Sequence, residues 1–204
     1  MFWNRTERIS MKKSGSLFVF SGPSGVGKTT LCGAVIKHFP DMNYSISYTT
    51  RQPRKDEHDG VDYHFISKEE FIKGIDEGRW AEWAKVHGNY YGTSAEIIEK
   101  SLKEERDILL DIDVQGTRQI LKRFPESIPI FIMPPSMDDL KGRLESRGTE
   151  TEASIRERLL NAEEEIAQKG IYRHVVVNDS LKKTLDELVS IITAYRRKGD
   201  VRNR

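Results

Sequence analysis

The chain has 204 residues, of which 33 are basic and 32 acidic, so its formal net charge is only +1 at pH 7. This length suits one α/β core with an insertion better than two independent domains, and the balanced charge gives no reason to expect nucleic-acid binding. No apolar stretch approaches the roughly 20 residues of a membrane span, and the polar, basic N-terminus lacks a signal-peptide pattern. We therefore expect a cytoplasmic protein without a membrane partner. Its single cysteine, Cys32, excludes an internal disulfide and is expected to pack in the interior.

The predicted elements alternate between strands and helices along the chain. Residues 1–15 are expected to be a flexible extension, and whether the chain starts at Met1 or Met11 remains open. Short apolar runs, typical of parallel strands buried on both faces, span residues 17–20, 108–110, 130–133 and 175–177. Helical patterns span residues 28–39, 115–124, 137–169 (as a pair) and 181–197. We predict an α/β fold with helices on both faces of a parallel sheet, its core formed by residues 16–43, 94–135 and 170–204.

A glycine-rich loop follows the first predicted strand and opens the first predicted helix. It has the spacing G-x-x-x-x-G-K-[ST] and consists of Gly22, Pro23, Ser24, Gly25, Val26, Gly27, Lys28 and Thr29, with Thr30 next in the helix. In such a loop backbone N–H groups surround the α- and β-phosphates, the lysine reaches the β- and γ-phosphates, and the threonine hydroxyl holds Mg²⁺. An ordinary glycine turn is the alternative. The flanking strand and helix favour a binding site for a nucleoside triphosphate.

The sequence texture changes between residues 44 and 93. Aromatic and polar residues alternate at residues 63–66 and 80–83, which predicts a small mixed β insertion. The tryptophans of the second stretch, Trp80 and Trp83, are expected to pack in the core or at a hinge.

Two arginines in this insertion, Arg51 and Arg54, are three residues apart, with Pro53 between them. An extended Arg-x-x-Arg segment can clamp a second phosphate, because guanidinium groups match phosphate oxygens geometrically. Arginines on a solvated loop are the alternative.

A densely charged segment is predicted at residues 136–169. Charged side chains make up nearly half of residues 138–169, against 32% of the whole chain, so we expect this segment to bury little. One interpretation is a solvated helical hairpin. The other, favoured by the phosphate site, is a mobile helical lid whose arginines Arg143, Arg147 and Arg158 swing onto bound phosphates.

The stretch from Thr49 to Ile66 resembles the signature of the guanylate kinase family, since it begins Thr-Thr-Arg-x-x-Arg and ends Tyr-x-Phe-Ile. The resemblance extends from Ser16 to about Arg197. Other similar segments are residues 88–92, 110–116, 147–151 and 177–179. The resemblance implies ATP as phosphoryl donor, Mg²⁺ as metal ion, and GMP, with dGMP, as the small-molecule substrate in purine nucleotide metabolism.

The resemblance also implies roles for individual residues. The GMP phosphate would be held by Arg51, Arg54, Tyr63 and Tyr91. The guanine would be faced by Ser47, Glu82, Thr93 and Asp113, which makes residues 44–93 the GMP-binding region. Asp111 would lie near the metal ion and the reacting phosphates, and Asn178 against the adenine of ATP, with Arg143 also on the ATP side. The catalytic residues would be Lys28, Arg51, Arg147 and Arg158.

The chemistry of Glu82 agrees with its implied role. A carboxylate accepts hydrogen bonds from both N1–H and the 2-amino group of guanine, whereas adenine has no hydrogen at N1. A strand glutamate that is simply exposed is the alternative. Two other function classes also remain open: a catalytically inactive guanylate-kinase-like module that binds peptides, and a P-loop kinase for another small phosphorylated substrate. A homo-oligomer is possible.

Overall fold

The computed structural model describes residues 15–86, 88–146 and 151–201. The strands are β1 (Leu17–Ser21), β2 (Asn43–Tyr44), β3 (Tyr48–Thr49), β4 (His64–Phe65), β5 (Trp80–Val86), β6 (Asn89–Ser94), β7 (Ile108–Asp111), β8 (Ile128–Met133) and β9 (His174–Val177). The helices are α1 (Lys28–His38), α2 (Lys68–Asp76), α3 (Ala95–Lys103), α4 (Val114–Arg123), α5 (Met137–Glu145), α6 (Glu152–Ala167) and α7 (Leu181–Val201). The predicted extension, apart from residue 15, lies outside the described residues, as does Arg147.

A parallel sheet of five strands, in the order β2-β7-β1-β8-β9, forms the centre of the fold. Side chains of its middle strand, β1, alternate between two cores. Phe18 and Phe20 pack with residues of α1 and α7, while Leu17 and Val19 pack with residues of α3 and α4. Because helices cover both faces, the strand is apolar at consecutive positions. The predicted α/β fold with a parallel-sheet core is confirmed.

A second sheet, in the order β4-β3-β6-β5, lies in the predicted insertion. β3 pairs in parallel with β4, while β6 pairs antiparallel with both β3 and β5, so the predicted mixed sheet is present. Its aromatic residues form a stack in which the rings of Phe71 and Trp80 are 4.4 Å apart and those of Phe71 and Tyr90 are 5.3 Å apart. Trp80 is buried as expected, whereas Trp83 is 37% exposed.

Two helices in or beside the insertion, α2 and α3, were not among the predicted elements. Each has a serine N-cap: the hydroxyl oxygen of Ser67 accepts from Glu70 N at 3.0 Å, and that of Ser94 accepts from Ile97 N at 3.4 Å. A serine before a short amphipathic stretch is a local helix-start signal. The alternation of aromatic and polar residues in the neighbouring strands obscured it.

The expectation that residues 138–169 bury little is wrong for α5. Leu140 and Leu144 are fully buried and form a small core with Ile155 and Ala162 of α6. The two leucines are four residues apart, so they share one helix face while the charges occupy the other. α5 also lies directly on the glycine-rich loop, where a Cβ atom at Gly25 would be 2.8 Å from Leu144 Cδ2.

The single cysteine packs as expected. Cys32 is 2% exposed on α1, and burial raises the pKa of its thiol. Among the described residues, no helix combines the length and the apolar character that a membrane crossing needs.

Candidate active site

A cleft of about 670 Å³ opens at the edge of the central sheet where β1 and β7 end. Parallel α/β sheets bind ligands at the carboxyl ends of their strands, which is this edge. Residues from both halves of the predicted site line the cleft, namely Ser24, Thr29, Asp111 and Asp113 from the core, and Ser47, Tyr63, Glu82 and Tyr91 from the insertion. The fold therefore brings residues from both halves of the predicted site to one cavity.

The glycine-rich loop has the backbone shape of a phosphate cradle. A Cβ atom at Gly22 would lie 2.2 Å from the carbonyl oxygen of Ile132, so only glycine allows the loop to pass β8 this closely. Gly27 has φ of 97° and is the N-cap of α1, and Thr29 in the first turn of that helix lines the cleft. Lys28 Nζ donates to the carbonyl oxygen of Gly22 at 2.7 Å. Thr29 and Thr30, at the start of α1, are exposed.

The predicted ATP-side residues converge on this loop. Asn178, which follows β9, donates from Nδ2 to the carbonyl oxygen of Val26 at 2.7 Å. The guanidinium of Arg143 donates to that same oxygen at 3.2 Å and to the carbonyl oxygen of Asn178 at 2.8 Å. Arg158 donates to Ser24 Oγ at 3.2 Å. In this arrangement Asn178 and Arg143 support the loop, and their predicted contacts with ATP stay predictions.

Two oxygen-bearing side chains of the cleft fit a magnesium ion. Thr29 supplies a hydroxyl, and Asp111 supplies a carboxylate. Burial raises the pKa of Asp111 above its usual value, and the charge of the nearby Lys28 only partly offsets this rise. Within the described part of the chain, no group of three or more His, Cys, Asp or Glu side chains is arranged to hold a metal ion.

The predicted phosphate clamp carries a carboxylate partner that sequence reasoning missed. Arg51 donates to Glu57 Oε1 at 2.8 Å, and the other oxygen of Glu57 accepts from Arg54 N at 2.8 Å. The hydrogen bond with Arg51 holds the pKa of Glu57 below its usual range and raises the pKa of Arg51. Arg51 and Glu57 are partly buried, whereas Arg54 is exposed. Glu57 lies within the stretch from Thr49 to Ile66, but its spacing from Arg51 does not reveal the pairing.

Two tyrosines complete this end of the cleft. The rings of Tyr63 and Tyr91 are 6.0 Å apart, edge to face, and the guanidinium carbon of Arg51 lies 5.4 Å from the centre of the Tyr63 ring. Burial raises the pKa of the Tyr63 phenol, so it remains a hydrogen-bond donor at neutral pH. Two phenols that line the cleft, with the guanidinium of Arg51 beside one of them, make a site suited to a phosphate.

The cleft is also lined by the buried carboxylate of Glu82. It is 6% exposed, and its Oε1 accepts from the hydroxyl of Thr93 at 2.6 Å. Burial raises its pKa to about 7; the Thr93 hydrogen bond opposes this rise, and Asp113 adds to it. The alternative of a simply exposed strand glutamate is therefore wrong.

Asp113 has a structural contact as well as its place in the cleft. Its Oδ1 accepts from Gly116 N at 2.7 Å and so caps the start of α4, while the residue also lines the cavity near Glu82. A second acidic residue, Glu165 on α6, lines the same cavity and has one carboxylate oxygen buried without a hydrogen-bond partner. The pKa of Glu165 is raised by burial, and the charge of Lys28 only partly offsets this rise. Its position within a run of three glutamates gave no signal that sequence reasoning could use.

A glycine-rich phosphate loop that opens a helix lines one cleft together with a buried carboxylate. This combination defines the class of P-loop phosphotransferases. A family model described as guanylate kinase matches residues 14–195. The chain is 46% identical over 192 residues to a guanylate kinase of Caldanaerobacter subterraneus subsp. tengcongensis, covering 94% of this chain and 93% of that protein. It is 47% identical over 184 residues to a guanylate kinase of Syntrophotalea carbinolica, covering 90% and 88%.

A similarity in structure agrees with these matches. The crystal structure of guanylate kinase from Anaplasma phagocytophilum superimposes with a TM-score of 0.75 and 32% sequence identity, covering 90% of this chain and 87% of that one. The chain therefore belongs to the guanylate kinase family.

Proposed function

We propose that the chain transfers the γ-phosphoryl group of ATP to the phosphate of GMP, giving ADP and GDP. The observation that carries this proposal is that the glycine-rich loop and the buried carboxylate of Glu82 line one cleft. The family membership of the chain supports the same reaction. We further propose that dGMP is accepted and that the reaction serves purine nucleotide metabolism in the cytoplasm.

The donor half of the cleft would bind the triphosphate of ATP. Backbone N–H groups of residues 22–30 and the positive end of the α1 dipole attract the phosphates. Lys28 would donate its hydrogen bonds to phosphate oxygens instead of to the carbonyl oxygen of Gly22. Thr29 and Asp111 would hold Mg²⁺. When bound, the metal ion supplies positive charge that offsets the charge of the phosphates.

The acceptor half would bind GMP by its two ends. Arg51, Arg54, Tyr63 and Tyr91 would hold the phosphate. Ser47, Glu82, Thr93 and Asp113 would surround the guanine. Glu82 accepts from N1–H and the 2-amino group only when it is ionised, whereas adenine would leave this buried carboxylate unpaired. A site that reads a base through such hydrogen bonds can discriminate by roughly 10⁴ to 10⁵.

The transfer needs positioning and charge neutralisation more than it needs a base. If phosphoserine is a guide, the second pKa of the GMP phosphate is near 6, so the attacking oxygen is already ionised at neutral pH. The obstacles are the repulsion between two anions and the competition of water with GMP for the γ-phosphoryl group. Lys28 and Arg51 would neutralise charge at the two phosphates, with Arg147 and Arg158 joining from the helical lid of residues 136–169.

A coupled ADP-release assay tests the proposal directly. ATP and Mg²⁺ would be supplied with GMP, dGMP, AMP, CMP or UMP in turn. We expect kcat/KM for GMP to exceed that for AMP by several orders of magnitude. No turnover with any acceptor would indicate an inactive binding module, and a preference for another acceptor would indicate a different kinase.

A further inference from the structure

The carboxylate of Glu82 lies against a helix position that has no side chain. Gly116 is in α4, and a Cβ atom at this glycine would be 2.5 Å from Glu82 Oε2 and 3.1 Å from Glu82 Cδ. Non-bonded carbon and oxygen atoms do not approach within 2.5 Å without severe repulsion. An alanine at position 116 and the present position of the Glu82 carboxylate are therefore mutually exclusive.

The backbone of α4 gives no other reason for a glycine here. Gly116 is absent from the glycines that have positive φ, so any L-residue could adopt its conformation. Glycine lowers the stability of a helix relative to alanine, because it loses more conformational freedom on folding. A Cβ atom here would also be 3.3 Å from Ile112 Cδ1, which is a lesser crowding. The space that the missing side chain leaves for Glu82 is therefore the main feature that requires glycine.

Glu82 cannot retreat from α4, because strand and helix are fastened together on both sides of it. The side-chain amide of Gln119 accepts from Trp83 N at 3.1 Å and donates to Trp83 O at 2.8 Å. Arg123 donates to Trp80 O at 3.1 Å. The only adjustment open to Glu82 is therefore a rotation of its side chain, which would break its 2.6 Å hydrogen bond with Thr93.

We propose that Gly116 determines substrate specificity, because its missing side chain allows the Glu82 carboxylate to sit where it reads guanine. This inference rests on the proposed function, in which Glu82 accepts from N1–H and the 2-amino group. Gly116 acts through Glu82 and is a positioning residue. A methyl group at this place would turn the carboxylate away from the guanine while leaving the ATP half of the cleft unchanged.

The first test compares Gly116→Ala with Gly33→Ala. Gly33 is the matched control because it lies inside α1 and a Cβ atom there would have no other atom within 4 Å. For Gly116→Ala we expect kcat/KM for GMP to fall at least tenfold, mainly through KM, since hydrogen bonds to the base are lost. The KM for ATP and kcat/KM for AMP should stay within about twofold. An unchanged GMP-to-AMP ratio would overturn the inference.

A second test asks whether the effect runs through Glu82. Glu82→Asp shortens the side chain by one methylene and should make room for a methyl group at position 116. In that background, adding Gly116→Ala should lower kcat/KM for GMP by less than about twofold. The same substitution in the unaltered chain should lower it at least tenfold, so the two effects are not additive. An equal cost in both backgrounds would contradict a steric contact with Glu82. If Gly116→Ala alone does not fold, recovery of folded protein in the Glu82→Asp background supports the inference, and no recovery overturns it.

The same experiment separates failure of this inference from failure of the proposed function. If the unaltered chain does not phosphorylate GMP, the proposed function itself is wrong, and the inference falls with it. If the chain phosphorylates GMP but Glu82→Asp leaves the GMP-to-AMP ratio unchanged, Glu82 does not read guanine, and the inference is refuted while the reaction stands. If Glu82→Asp lowers that ratio and Gly116→Ala does not, only the role of Gly116 is refuted.

Discussion

Replacing Glu82 with glutamine should stabilise the chain at alkaline pH while abolishing its preference for GMP. The carboxylate is 6% exposed, and burial raises its pKa from 4.5 to about 7. The folded state therefore binds this proton more tightly than the unfolded state, so stability falls as pH rises from about 4.5 to 7 and the penalty is complete above pH 7. A glutamine can still accept the hydrogen bond from Thr93, and it removes the charge.

The size of the effect follows from the raised pKa. One pKa unit corresponds to about 1.36 kcal/mol. A rise in pKa from 4.5 to about 7 therefore lowers the free energy of unfolding by about 3 kcal/mol at pH 8, where the carboxylate is ionised. At pH 5 the same group lowers it by less than about 1 kcal/mol. For a chain of this length, 1 kcal/mol shifts the melting temperature by about 2–4 °C. We therefore expect Glu82→Gln to melt roughly 6–12 °C higher than the unaltered chain at pH 8, and only slightly higher at pH 5.

The assay is urea or thermal unfolding of the ligand-free protein at pH 5 and pH 8. Glu126→Gln serves as the control, because Glu126 is exposed in a loop and should show no comparable difference between the two pH values. If the stability gain of Glu82→Gln is the same at pH 5 and pH 8, the carboxylate does not titrate near 7 in the folded protein, and the reasoning is refuted.

The remaining predictions concern catalysis. Lys28→Ala should lower kcat by about 10² to 10³ with little change in unfolding, since it removes one preorganised positive charge; near-normal turnover would contradict the role of the loop. Arg51→Lys should raise KM for GMP at least tenfold, because an ammonium cannot replace a two-pronged guanidinium; an unchanged KM in steady-state assays would count against the clamp. The KM for GMP should rise about tenfold per pH unit below pH 7, as Glu82 becomes protonated. The KM for GMP is divided by the KM for AMP at each pH, because this ratio cancels the effect of phosphate titration. A ratio that does not change with pH would exclude Glu82 as the residue that recognises guanine.

Local patterns in the sequence predicted the parts of this molecule that depend on neighbouring residues. The spacing of the glycine-rich loop predicted the cradle before α1, and four apolar runs predicted the parallel strands β1, β7, β8 and β9. The expected burial on both faces is wrong for β9, an edge strand in which Val175 and Val177 are exposed. α5 was misjudged because charge fraction was counted over a whole segment, whereas burial depends on a single face, here that of Leu140 and Leu144.

Pairings between distant residues were beyond the reach of local patterns. The approach of Glu82 to Gly116 joins a strand of the second sheet to a helix of the core. Nothing in the sequence around either residue indicates the other. The hydrogen bond between Arg51 and Glu57 is closer in sequence, but a loop of that length can place the two side chains in many ways.

The attachment of Gln119 to Trp83 also fills backbone hydrogen-bonding positions at the edge of the second sheet. β5 is an edge strand of seven residues, and an exposed edge of that length offers free N–H and carbonyl groups to any extended segment of another molecule. The amide of Gln119 occupies both backbone groups of Trp83, and Arg123 occupies the carbonyl of Trp80. These two side chains make hydrogen bonds that a neighbouring strand would otherwise make. The backbone groups in the middle of the edge are therefore not available for pairing with another chain.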